Sequence, residues 1–292
     1  MYDVFCYGVI CLDISGRLES PRIPFGQASA IDYHINAGGD AALVSMMLSS
    51  LGLKVGLAGG PIGDDPMGEH IRKTLERNGV EVLAETMGKT SIAAIVVDET
   101  GQRSSLTFHD STPIEKIPVP EEAIAGSKYL YCDGAYGQNC TLAGKIAKKH
   151  GIPSLLNYDM PSRDSIYLYD TVIAGEITSR WISDDPLEAS SIIYDLNRGT
   201  SIVTMGENGC ICNTGEVLTL PAYRVNAIDT TGAGAAFAAG FISSRISGLS
   251  LLDSLKMGSA AGAIKSTVKG SLKLFEPGEI GRFVDARSRQ IP

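Results

Sequence analysis

From Lys128 onward, short apolar runs alternate with stretches long enough to be helices, and this alternation restricts the fold more than any other feature. Tyr129–Cys132, Ser154–Asn157, Thr171–Ile173 and Ser201–Thr204 read as strands. Strand and helix in repetition imply a parallel sheet with right-handed crossovers. Val4 to Ile10 is continuously apolar, as expected of a strand covered on both faces. Near Gly39 a helix is expected to begin, because Ala41, Ala42, Val44, Ser45, Met47, Leu48 and Leu51 keep helical spacing up to Gly52. A strand at Val55–Ala58 and a helix over Met67–Asn78, closed by Gly79, follow.

Two segments break the alternation. Ser15 to Asn36 is polar and contains prolines, with alternating stretches suited to edge strands. Ile92–Val97 and Ser104–Phe108, around a turn at Glu99-Thr100-Gly101, read as a β-hairpin. No repeat, low-complexity tract or linker divides the chain. The expectation is one α/β domain over residues 1–292, with a small β appendage from about 15–36 and 90–110.

The chain has 292 residues, a net charge of −8, 44 % hydrophobic and 20 % charged residues. That is globular composition, and its acidity argues against sequence-independent nucleic-acid binding and against attraction to an acidic membrane surface. The start lacks a basic n-region and meets Asp3 and Asp13 early, unlike a signal peptide. No run approaches the roughly 18 apolar residues of a membrane span. Six cysteines, without CxxC spacing, read as reduced buried thiols, and the four histidines have no metal-site spacing. A cytoplasmic protein is expected.

The most informative stretch is Ala227-Ile-Asp-Thr-Thr-Gly-Ala-Gly-Ala-Ala-Phe-Ala-Ala-Gly-Phe241. Gly232 and Gly234 precede a helix of small residues, and a glycine turn at a helix N-terminus aims backbone N–H groups and the positive dipole end at one spot. It is not a Walker A loop, since no Lys-Ser or Lys-Thr follows, nor a dinucleotide fingerprint, since the third glycine is missing. Tight helix–strand packing would ask for the same small residues. A nicotinamide-dependent oxidoreductase therefore has little support.

Asp229-Thr-Thr-Gly-Ala-Gly-Ala235, with Phe237 and Gly240-Phe241, closely resembles the C-terminal signature of ribokinase-like (PfkB) carbohydrate kinases. Their N-terminal signature is matched by Gly38-Gly39, Ala41, Ala42 and Leu51-Gly52, and then by Gly60, Gly63-Asp64-Asp65, Met67-Gly68 and Asn78-Gly79-Val80. Thr204-Met-Gly206-Glu-Asn-Gly209 resembles the nucleotide-side turn. These marks occur in order over nearly the whole chain. The resemblance implies a ribokinase-like α/β fold, a Rossmann-like parallel sheet flanked by helices with a small β-sheet lid. It implies ATP- and Mg²⁺-dependent phosphorylation of a sugar or nucleoside hydroxyl, and a homodimer through the lid.

By that resemblance Gly232, Ala233 and Gly234 form an anion hole for the transferring phosphate. Thr204, Gly206, Gly209 and Thr231 join Gly232 and Gly234 on the nucleotide side. Asp13, Gly38, Gly39, Asp40 and position 43 belong to the acceptor side. From its place after the lid hairpin, Arg103 is either within reach of an anionic acceptor or a solvated hairpin charge. The signature closes with an aspartate that takes the acceptor's proton, and here that position is Ala235. Loss of a general base typically costs about 10²–10⁴-fold in rate. Two origins fit: an engineered Asp→Ala replacement, favoured by the intact remainder of the signature, or a natural pseudokinase that binds a metabolite. Leu43 stands where many relatives have an asparagine on substrate hydroxyls. Gly175-Glu176-Ile177-Thr178 replaces an Asn-x-x-Glu that organises water around Mg²⁺, leaving Glu176 as an indirect candidate. Asp229 and Thr231 could hold a monovalent cation such as K⁺, or simply shape the turn.

Overall fold

The structure is a computed structural model that describes residues 1–18, 29–97, 103–109, 111–159 and 163–288, with Arg103 described only in its backbone. The chain opens with β1 (Val4–Gly8), β2 (Cys11–Leu18), β3 (Ala30–Gly38), α1 (Asp40–Ser50), β4 (Val55–Gly59), α2 (Pro66–Arg77) and β5 (Val80–Val82). Then come β6 (Ile92–Val97), β7 (Arg103–Phe108), α3 (Glu121–Ala125), β8 (Leu130–Asp133), α4 (Gly137–His150), β9 (Ser154–Tyr158) and β10 (Thr171–Gly175). The last third holds α5 (Glu176–Ser179), α6 (Pro186–Asn197), β11 (Thr200–Thr204), β12 (Cys210–Asn213), β13 (Val217–Leu220), α7 (Ala233–Ile246), α8 (Leu251–Ser266) and α9 (Glu279–Ala286).

Nine strands form one sheet in the order β13-β12-β11-β10-β9-β8-β1-β4-β5. It is parallel from β11 to β5, and β12 and β13 add an antiparallel edge. Burial on both faces explains the continuously apolar strands: in β1, Val4 and Cys6 point into one core while Phe5 and Tyr7 point into the other. Helix α1 is apolar all round because it lies between the sheet and α7. Fold class and parallel sheet thus agree with the expectation from alternation.

The remaining strands form a separate sheet in the order β3-β2-β6-β7, with β2 and β6 parallel and the other pairs antiparallel. Val4 to Ile10 is not one strand, because β1 stops at Gly8 and the chain enters the second sheet at Cys11. The antiparallel β6–β7 pairing is the expected hairpin, whereas its turn, Glu99-Thr100-Gly101, lies outside the described residues. The middle of the expected appendage, 19–28, does too. Among the described residues, no helix is long and apolar enough to cross a membrane.

Candidate active site

The Gly-rich turn is held from below before it reaches α7. Ile228 and Asp229 both donate their N–H to the Ser266 carbonyl at the end of α8, at 2.7 and 3.1 Å. The Asp229 carboxylate accepts from Thr231 N through Oδ1 and from Gly270 N through Oδ2, each at 2.9 Å. Partial burial opposes its ionisation, but these N–H donors and the Lys265 charge win and hold it below the ordinary carboxylate range. Gly232 then takes φ +80° and the Ser271 carbonyl rests where its Cβ would be, so no other residue fits. The N-cap of α7 is Gly232, which has no side chain to cap the helix, and a helix N-terminus of this kind favours an anion.

Two cavities meet at this turn. One, about 760 Å³, is lined by Thr204, Gly206 and Gly209 on one wall and by Ala233, Gly234 and Phe237 on the other. The second, about 370 Å³, lies beneath the β3-β2-β6-β7 sheet, with Thr231 and Gly232 at one side. Its floor is built from strand ends and from α1: Gly39, Asp40, Leu43, Asp133 at the end of β8 and Asp159 just after β9. Asp13 on β2 comes down from the lid, and its carboxyl lies where a Cβ on Gly38 would sit. That close approach explains a glycine at position 38.

Four carboxylates thus face one small space, and its described lining residues include no Lys, Arg or His. Asp13 accepts from the Cys11 thiol and from the Ser271 hydroxyl, both at 3.3 Å, and Asp40 accepts from Asn157 Nδ2 at 2.9 Å. Asp133 is 1 % exposed. Its burial, reinforced by Asp40 and Asp159, pushes its carboxyl up to about 8 against the pull of the Ala135 and Val9 N–H groups. The shift favours the protonated form, which can donate a hydrogen bond as well as accept one.

The structure brings together Asp13, Gly39, Asp40, Leu43, Thr231 and Gly232 on one side, and Thr204, Gly206, Gly209, Ala233 and Gly234 on the other. Ala235 sits in the first turn of α7, is buried, and is not among the lining residues of either cavity. The Arg103 backbone pairs with Val97 at the start of β7, and its side chain lies outside what the structure describes. Glu176 is an exposed start to α5 in an ion pair with Arg180 at 3.4 Å, away from both linings. Asp133, Asp159 and Ser271 were not expected. Asp133 and Asp159 follow the rule that ligands sit beyond the carboxyl ends of strands, which the sequence alone could have supplied.

Among the described residues no group of three or more His, Cys, Asp or Glu is placed to hold a metal. Magnesium carried on nucleotide phosphates with its own waters is the form such a site fits. For K⁺ the fit is poor: the Asp229 carbonyl already accepts from the Lys265 ammonium at 2.8 Å, and both its carboxylate oxygens accept from N–H groups.

The fold is that of a ribokinase-like α/β protein. The chain belongs to the pfkB family of carbohydrate kinases, whose pattern matches residues 1–276. It is 27 % identical over 258 residues to the ribokinase of Haemophilus influenzae, covering 82 % of this chain and 84 % of that one. It is 25 % identical over 298 residues to an ATP-dependent ribose-1-phosphate kinase of Halopiger xanaduensis, covering 98 % and 99 %. An Arabidopsis thaliana ribokinase solved with ribose and ATP superimposes with a TM-score of 0.82 at 19 % identity, over 97 % of this chain and 98 % of that one.

Proposed function

We propose that the protein transfers the terminal phosphoryl group of ATP, bound as its Mg²⁺ complex, to a hydroxyl of a sugar or nucleoside. The observation that carries this reading is the meeting of two cavities at the uncapped N-terminus of α7. Phosphoryl transfer needs in-line positioning and stabilised charge more than covalent chemistry. The Gly232–Gly234 backbone and the helix dipole receive the transferring group between the cavities. Asp13 and Asp40 orient acceptor hydroxyls, and the protonated Asp133 donates to one. The polar side chains of the described lining, Ser105, Thr107 and Thr231 beside the aspartates, suit an acceptor rich in hydroxyls.

The acceptor's proton is the weak point. In this reading Ala235 stands at the base position, and the methyl group cannot take a proton, so the chain binds better than it turns over. One observation, Ala235 itself, also favours a second reading in which the same pocket senses a metabolite without turnover. ADP release on Mg-ATP, measured with a panel of sugars and nucleosides for this chain and for Ala235→Asp, separates them. Turnover by the Asp variant supports the kinase. Binding of ATP or a metabolite with no turnover by either supports the sensor. The exposed apolar residues Leu106 and Phe108 support self-association through the lid.

A further inference from the structure

Lys265 lies in the last turn of α8 and is wholly buried. Its Nζ donates to the carbonyl of Asp229 at 2.8 Å and to that of Val268 at 3.3 Å. A buried ammonium is costly unless it is paired, and a lysine with so short a reach to two main-chain oxygens is held for a reason. The two carbonyls belong to the two segments that shape the anion receptor. Asp229 opens the turn into α7, and its carboxylate fixes Thr231. Val268 opens the loop after α8, whose Gly270 N–H returns to Asp229 and whose Ser271 carbonyl closes over Gly232. One positive charge therefore ties together both sides of the turn, where the α8 C-terminal dipole and the Asp229 carboxylate also favour it.

We propose that Lys265 is a built-in monovalent cation: its ammonium takes the main-chain oxygens an alkali ion would need and fixes the anion-receiving turn without one. The inference rests on the kinase reading for the role of the turn, but its physical content is a covalently attached cation in place of a bound one. An alkali ion here would have to displace Nζ from the Asp229 carbonyl or force the Asp229 carboxylate off its two N–H donors. Lys265 is a positioning residue, since it acts on the turn and not on the reacting atoms.

The test compares the full chain with Lys265→Ala and Lys265→Met in K⁺, Na⁺ and tetramethylammonium chloride at equal ionic strength. Thermal midpoints and the Kd for Mg-ATP are read in each salt. The parent is expected to give the same midpoint and affinity in all three. Removal of the ammonium weakens Mg-ATP binding by roughly tenfold or more, a loss on the scale of a typical coupling between sites. In Lys265→Ala, K⁺ but not tetramethylammonium restores much of the affinity and midpoint, because the small ion can re-enter the vacated place. Lys265→Met fills that place and shows no rescue. A parent that gains affinity or midpoint specifically with K⁺ overturns the proposal, and so does a Lys265→Ala variant that is unaffected or is not rescued. Where the variants fail to fold, the parent's response to the three salts decides alone. A parent that binds no ATP in any salt refutes the kinase reading, while the ion comparison still stands in the midpoints.

Discussion

Ser271 donates its hydroxyl to the Asp13 carboxylate at 3.3 Å, across 258 residues of sequence. Its carbonyl at the same time closes over Gly232. A single buried residue therefore fastens the Asp13 carboxylate on β2, which lines the smaller cavity, to the turn that begins α7. The two cavities are placed relative to each other by this contact as well as by the sheet beneath them.

Replacing Asp13 by Asn should raise KM for the acceptor, because an amide offers one acceptor oxygen where the carboxylate offers two. Loss of a charged hydrogen bond of about 1.5–3 kcal/mol corresponds to roughly 10–100-fold. Ser271→Ala removes only the donor and should cost less, about 1 kcal/mol or roughly fivefold. Steady-state kinetics of each in the Ala235→Asp background give the comparison. Equal KM for parent and Asp13→Asn would remove Asp13 from the acceptor site.

Restoring a carboxylate at position 235 is expected to raise kcat by about 10²–10⁴-fold while changing the Kd for Mg-ATP little. The side chain would sit in the first turn of α7, where an anion is favoured by the dipole. Single-turnover ADP formation with a saturating acceptor measures it. An unchanged rate would mean that the proton leaves by another route.

The parallel sheet, the second sheet and the glycine turn before α7 were all legible in the sequence, because apolar runs, hairpin spacing and Gly232–Gly234 are local signals. Asp13 was legible for the same reason, as a carboxylate just beyond an apolar strand. Asp133 obeys the same rule, since it directly follows the apolar run Tyr129–Cys132, but nothing local separates it from an ordinary loop carboxylate. Ser271 and Lys265 had no such signal. A lysine near a helix end ordinarily faces water, whereas this one is buried with its ammonium on the Asp229 and Val268 carbonyls. The antiparallel edge of β12 and β13 was also missed, although Asn213-Thr214-Gly215 is a turn sequence between apolar runs.

Leu106 and Phe108 are 60 % and 56 % exposed and alternate along β7 with Ser105 and Thr107, which line the acceptor cavity. They therefore face away from the site, with Ile35 on β3 turned to the same side as Ile14. Exposed apolar groups gathered on one sheet face suit a second copy of the chain. Leu106→Glu with Phe108→Glu should convert a dimer to a monomer in sedimentation velocity. A parent that is monomeric at high concentration would refute the lid interface.

The pH dependence of stability should run opposite to that of an ordinary carboxylate at Asp133. Its carboxyl is pushed up to about 8 in the folded chain, chiefly by burial and then by Asp40 and Asp159, against about 3.9 when unfolded. Between those values the native state binds the extra proton, so the free energy of unfolding falls as pH rises through that window. The limit for one proton is about 1.4 kcal/mol per pH unit. Urea unfolding at pH 6 and pH 8 should therefore show the less stable protein at pH 8. Asp133→Asn cannot titrate, and its difference between the two pH values should shrink by the Asp133 share. The asparagine has one oxygen for the two N–H groups, of Val9 and Ala135, that the carboxyl now receives. One of them loses its partner, at about 1–3 kcal/mol, so the variant should be the less stable of the two at pH 6 and lose less on going to pH 8. A parent whose pH 6 to pH 8 difference equals that of Asp133→Asn would mean that Asp133 is ionised throughout, and that the acceptor cavity holds its full negative charge at neutral pH.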